Sequence, residues 1–149
     1  MTGSPSFEGF DHIDCRVRSL AAVEDFYGAL MPELGLPVRR YSYVDDAGDW
    51  HRPSGQRAYN AVEFFETPSA GRATFFIGLI ERPGHVPGLT RIAFRVSRER
   101  LYELEGRLAA MGARNVQRDD DMEAYPAIFF EDPAGTRLEL VARRRDDDA

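Results

Sequence analysis

The side chains able to do chemistry fall at alternating positions of three apolar segments. His12, Asp14 and Arg16 alternate with Ile13, Cys15 and Val17. Successive side chains of an extended strand point to opposite faces, so the polar three share one face and the apolar three the other. The same alternation sets Arg91, Ala93 and Arg95 against Ile92, Phe94 and Val96, and Arg137, Glu139 and Val141 against Leu138 and Leu140. An imidazole at His12 could serve as a general base or a metal ligand; its plainer role is a polar strand-start residue bonded to backbone. Glu139 sits between two leucines, and a carboxylate is seldom buried without a partner. It is either a site acid or the partner of Arg91 or Arg137. The Arg91 guanidinium could grip a carboxylate, phosphate or enolate oxygen in fork geometry, or pair with Glu139.

Further candidates stand nearby in the sequence. Asp14 and Arg16 form either a local pair or a wall of the same face. Tyr59, Glu63 and Tyr125 fall in apolar segments that read as inner strands, where they either pack or line a pocket. Trp50 and His51 lie in a long polar stretch, Asp45 to Gln56, that reads as a binding loop or a solvated one. Cys15 alternates to the apolar side and reads as an inert core residue.

Those residues need elements to position them, and the chain supplies the same set twice. Ile13-Asp14-Cys15-Arg16-Val17 recurs as Ile92-Ala93-Phe94-Arg95-Val96, an offset of 79 residues. Phe64-Phe65-Glu66-Thr67-Pro68 recurs as Phe129-Phe130-Glu131-Asp132-Pro133, an offset of 65. Gly71 and Gly135 follow the second pair of matches, and another apolar run follows each. The difference between the offsets places a surplus of 14 residues in the first copy. The loop from Asp45 to Gln56 has no counterpart after Val116 and accounts for it. Internal repeats of this kind point to a supersecondary unit used twice.

Within the first copy, strands are predicted at Phe10–Val17, Val38–Val44, Tyr59–Glu66 and Ala73–Glu81. A helix runs from Leu20 to about Leu34, capped by Ser19, weakened in its last turn by Pro32 and ended by Gly35. Arg82 to Leu89, rich in proline and glycine, is the linker. The second copy has strands at Thr90–Val96, Asn115–Arg118, Ala124–Phe130 and Thr136–Ala142. Its helix is capped by Ser97, carries Leu101, Leu104, Leu108 and Met111 on one stripe, and ends at Gly112. Each half is therefore βαβββ, and the fold class is α+β. Residues 1–149 make a single domain, with module one at about 8–82, a linker at about 82–89 and module two at about 90–142. One face of each sheet lies under its helix and the other needs a partner or ligand. Two such sheets can meet edge to edge as a curved mixed sheet cup, helices outside.

Composition narrows the function. The chain has 149 residues, 43% of them hydrophobic and 30% charged, as a soluble globular protein has. A net charge of −6 makes nucleic acid a poor partner. The single cysteine forbids an intramolecular disulfide and suits a reducing compartment. No apolar run approaches a membrane span, and Met1 to Ser6 lacks the makings of a secretory signal, so a cytoplasmic protein is expected. The run of three arginines and three aspartates from Arg143 to Asp148 reads as a solvated tail.

The segments DHIDCRV…FYGALMPELGL, GLTRIAFRVSRERLYELEGRLAAMGA and AIFFEDPAGTRLELV together resemble the vicinal oxygen chelate superfamily of glyoxalases, extradiol dioxygenases and bleomycin- or fosfomycin-resistance proteins. The resemblance spans roughly Phe10 to Val141. It implies a cup in which some members hold a divalent ion with His, Glu or Gln side chains from the first and last strands of each half. Carried over, the first-strand positions fall on His12 and Arg91. The last-strand positions fall on Glu139 and on Phe75, or Thr74 if the turn is counted differently. Arginine has no free lone pair to offer and phenylalanine offers none at all.

The expected function is therefore a small-molecule-binding protein or metal-independent enzyme with a degenerate metal site. In it His12 and Glu139 are acid/base or hydrogen-bonding groups and Arg91 anchors an anionic oxygen. Asp14, Trp50, His51, Tyr59, Glu63, Phe75 and Tyr125 are the candidate ligand contacts. No cofactor is expected. The alternative is a metal-dependent lyase, isomerase or dioxygenase of the glyoxalase type, holding Zn, Ni, Mn or Fe with His12, Glu139 and a third ligand such as His51 or His85. A third reading is an interaction module whose cup is filled by its own side chains. The expected partner is a small molecule, with no nucleic acid and no membrane, and a homodimer is possible in principle.

Overall fold

The computed structural model describes residues 10–71, 74–88 and 90–142. The elements run β1 (His12–Val17), α1 (Leu20–Glu33), β2 (Val38–Val44), β3 (Trp50–His51), β4 (Ala61–Phe65), β5 (Phe76–Glu81), β6 (Arg91–Arg95), α2 (Arg98–Met111), β7 (Arg114–Arg118), β8 (Ala127–Glu131) and β9 (Arg137–Val141). Ala73, predicted at the start of a strand, Leu89 of the linker, and both termini fall outside the described residues. No helix is long and apolar enough to cross a membrane.

The strands form two mixed sheets. The first has the order β1-β5-β4-β2-β3 and curls into a half-barrel; the second has the order β6-β9-β8-β7 and is more open. In each, the first strand pairs in parallel with the last, which is also paired antiparallel to the strand before it. The α+β class follows, with a βαβββ order in each half and one extra short strand, β3, in the stretch of module one predicted to be a loop. β1 and β6 each stand at the edge of their own sheet.

The caps read from sequence are in place. Ser19 Oγ accepts from the Ala22 amide and Ser97 Oγ from the Arg100 amide. Gly35 takes φ 88° just past α1, and Gly112 takes φ 110° at the end of α2, a region that glycine enters without a Cβ penalty. Pro32 lies within the last turn of α1, where the Leu36 amide bonds back to the Met31 carbonyl.

Strand parity is as the alternation requires. Val17, Val62, Phe64, Ile77 and Leu79 from the first sheet share one core with Ile128, Phe130, Leu138 and Leu140 from the second, together with Phe26, Tyr27, Leu30, Leu101, Leu104 and Leu108 from the helices. Two contacts tie module one to module two inside it. The Tyr27 hydroxyl donates to the buried Asp132 carboxylate at 2.8 Å, and Phe26 meets Phe130 edge to face at 6.5 Å. Asp132 also accepts from the Ala134 and Thr136 amides, closing the β8–β9 turn.

Register departs from the repeat read in sequence. Phe64 and Phe130 are the core residues, whereas Phe65 and Phe129 are their open-face neighbours. The structural offset in β4 and β8 is therefore 66, one more than the FFE match indicates. The β4–β5 connection spans residues 66–75, against 132–136 between β8 and β9. Because the side-chain period is two, a one-residue slip exchanges the faces. The surplus in module one is thus divided between the β2–β4 segment and this longer turn.

Candidate functional site

The open face of the first sheet assembles most of the candidates. His12 begins β1 opposite Phe76, and the two rings stack at 4.6 Å with an interplanar angle of 8°. Phe76 in turn stacks on Phe65 at 4.5 Å, and the Arg40 guanidinium lies 4.7 Å above the Phe65 ring. His12 Nδ1 meets Asp11 Oδ2 at 2.7 Å, and Nε2 lies 3.7 Å from Asp14 Oδ2. The hydrogen bond that Asp11 accepts raises the His12 pKa above the ordinary histidine value; desolvation opposes it, and the charges of Asp14, Asp11 and Glu63 add to it. Glu63 Oε1 accepts from Ser42 at 2.5 Å. His12, Asp14, Trp50, Glu63 and Phe76 line one cavity of about 230 Å³, all from module one.

Trp50 reaches that cavity because the predicted loop is a hairpin. Asp45 Oδ1 accepts from the Ala47 and Asp49 amides, Gly48 takes φ 90°, and β3 pairs antiparallel with β2. Trp50 stands opposite Val44 and His51 opposite Tyr43, so the two side chains take opposite faces of the ribbon. Trp50 shares the open face. His51 turns away from it and holds Asp45 at 2.7 Å, which lowers the Asp45 pKa. His51 is thus engaged in the turn, on the face away from the cup.

Two other candidates also lie elsewhere. Tyr59 precedes β4 and donates to Glu24 of α1 at 3.0 Å, beside Tyr41, which does the same. It braces the helix side of the sheet, and the bond to Glu24 raises its pKa. Phe75 precedes β5 and packs against the core, with its amide 3.3 Å from Glu66 Oε2. The position matching Glu139 is Gly78. Gly78 pairs with Asp14 on β1 and Glu63 on β4, just as Glu139 pairs with Ala93 on β6 and Phe129 on β8. A Cβ at Gly78 would come within 2.5 Å of Asp14 Oδ1. The carboxylate that module two carries on its last strand is thus carried by module one on its first strand, over a glycine.

The open face of the second sheet holds Glu139, Tyr125 and Arg91. Glu139 is buried, 5% exposed, and accepts from the Tyr125 hydroxyl at 2.7 Å. Its partner is a phenol rather than a guanidinium. Arg91 lies 4.7 Å over the Phe129 ring and stands beside Arg137 in the β6–β9 register. His85 lines a cleft of about 240 Å³ along the β1 edge with Asp14, Arg16, Ile92 and Thr136, outside the His12 cavity. Cys15 packs against the core, and burial pushes its thiol up to about 11, as suits an inert residue.

Sequence reading passed over Asp11, Gly78, Phe65 and Phe76. Asp11 was signalled only by its adjacency to His12. The other three require the register.

Solved structures of similar fold are found at high probability. The fosfomycin resistance protein FosX from Listeria monocytogenes, in its hexagonal form, matches with a TM-score of 0.59 at 20% identity, over 96% of this chain and 99% of that one. A glyoxalase/bleomycin resistance protein from Albidiferax ferrireducens matches with a TM-score of 0.58 at 17% identity, over 91% and 98%. An integron cassette protein from the mobile metagenome of a Halifax Harbour sewage outfall matches with a TM-score of 0.57 at 22% identity, over 92% and 100%. No family model matches, and no curated protein does. At these identities the likeness is one of fold: the chain has the fold of the vicinal oxygen chelate superfamily.

A point mutant of the FosX of Listeria monocytogenes has been crystallised with Mn(II) and 1S,2S-dihydroxypropylphosphonic acid. The residues present here do not fit such an ion. Of the four strand positions that the sequence resemblance implies, this chain offers His12 and Glu139, with a guanidinium at Arg91 and no side chain at Gly78. Among the described residues, no three His, Cys, Asp or Glu side chains converge to hold a metal.

Proposed function

We propose that this protein binds a small organic molecule on the open faces of its sheets and acts, if it transforms that molecule, without a resident metal. One observation carries the reading: the donor set is broken at two of the four positions, by Arg91 and Gly78, while the acid/base groups around them are kept and supported. In this reading His12, backed by Asp11, is a proton acceptor or donor. Glu139, held by Tyr125, is the second hydrogen-bonding group. Arg91, beside Arg137, anchors an anionic oxygen. Asp14, Trp50 and Glu63 contact the ligand in module one.

We also propose that the chain works as a homodimer. β1 and β6 both leave a backbone edge unpaired by their own sheets, and a cleft of about 260 Å³ between them is lined by Phe10, Ile13, Ile92 and Phe94. Phe10 is 73% exposed. Unprotected edges beside exposed apolar surface are natural pairing sites.

The test is elemental analysis of protein purified without chelator, with a thermal-shift screen of divalent metals and small aromatic acids. The expected result is no stoichiometric ion, and stabilisation by acids that is lost in Arg91→Ala. A stoichiometric divalent ion lost in both His12→Ala and Glu139→Gln would overturn the reading in favour of a metal-dependent glyoxalase-type enzyme.

A further inference from the structure

The cavity on the open face of module one is walled by aromatic rings and carboxylates together. One of its aromatic faces, and that of the neighbouring Phe65, are already covered. The His12 imidazole lies flat on Phe76, and the Arg40 guanidinium lies on Phe65, so the row His12–Phe76–Phe65–Arg40 is one continuous stack. The Trp50 indole, 43% exposed, faces the same cavity, and among the described residues no cation or ring is stacked on it. Tryptophan offers a cation the most favourable aromatic face.

Among the described residues, no arginine forms an ion pair with the carboxylates beside Trp50. There Asp14 has His12 Nε2 within ion-pair distance, at 3.7 Å, and Glu63 is bonded to the neutral Ser42 hydroxyl. Arg40 stands opposite Glu63 in the ladder yet lies over Phe65, and Arg16, two residues along β1, lines the edge cleft that Asp14 also borders but not the cavity itself. Gly78 keeps Asp14 where it is, because any side chain there would displace that carboxylate.

From these contacts we infer that the module-one cavity is a subsite for an organic ammonium group, taken between the Trp50 indole and the Asp14 and Glu63 carboxylates. This rests on the small-molecule reading above and names the ligand class for one of its two faces.

Trp50 is the chain's single tryptophan, so its fluorescence reports on the cavity directly. The probes are benzyltrimethylammonium, the neutral benzyl alcohol and the anion 3-phenylpropionate, titrated at constant ionic strength. A saturable change in Trp50 emission with the ammonium probe alone is expected. Its apparent Kd should rise at least tenfold in Asp14→Asn and in Gly78→Ala, with far-UV circular dichroism unchanged. Gly78→Ala moves Asp14 without altering its charge, and Asp14→Asn removes the charge without adding bulk. Saturation by 3-phenylpropionate, equal response to the neutral probe, or no response to any of the three would each overturn the ammonium subsite. The metal analysis and the Arg91-dependent acid binding would stand or fall separately.

Discussion

Asp11 sets the basicity of His12. Its hydrogen bond to Nδ1 is the largest cause of the raised pKa, and the imidazole is otherwise largely exposed, so solvent moderates the charges around it. A titration followed by NMR should place the His12 midpoint above the ordinary value of about 6.5, and Asp11→Asn should lower it more than Asp14→Asn does. A midpoint unmoved in Asp11→Asn would remove Asp11 from its supporting role. The sign follows from linkage. A raised folded-state pKa stabilises the fold below the unfolded value, and the contribution disappears as pH rises through the folded midpoint.

Register is a property of elements, and it decides which phenylalanine of each pair matters. Phe64 and Phe130 are 1% and 2% exposed in the common core, while Phe65 and Phe129 face outward. Phe64→Ala and Phe130→Ala should each cost about 3–5 kcal/mol in urea unfolding. Phe65→Ala and Phe129→Ala should cost clearly less. Equal losses at Phe64 and Phe129 would instead support the register read from the FFE repeat. The β8–β9 turn carries a second dependency between elements. Tyr27→Phe leaves a buried Asp132 oxygen without its donor and should cost about 1–3 kcal/mol, with the m-value unchanged. No shift in the urea midpoint would mean that another group satisfies Asp132.

Across the whole molecule, the two modules share one core through their helix faces, which leaves both open faces turned away from it and clefts between β1 and β6. Within the chain, His12 belongs to one open face and Glu139 to the other, and the His12 cavity is lined by module one alone. If a second copy covers the edges, sedimentation should show a dimer at micromolar concentration, and the urea midpoint should rise with protein concentration. Phe10→Asp should weaken association while leaving circular dichroism unchanged. A monomer at every concentration would remove the dimer from the proposed function.

The sequence alone carried the α+β class, the doubled βαβββ order, both helix caps and the parity of β1, β6 and β9. These depend on local rules: two-residue alternation, capping by serine, and glycine where φ turns positive. His12, Arg91 and Glu139 stood out as candidates for the same reason, since each is a polar residue alternating with apolar ones on its strand. What passed through a turn was not legible. The connection after Phe65 is longer than its counterpart after Glu131, so Phe75 was counted onto a position that Gly78 occupies. A single-residue error there exchanges faces. Likewise, only the β2–β3 pairing separates Trp50 from His51, and only the packing of α1 draws Tyr59 to Glu24. Tertiary structure decided which side chains meet, because register and packing are set by contacts between segments far apart in the chain. For that reason the last-strand position of module one falls on Gly78, beside Asp14, and not on Phe75.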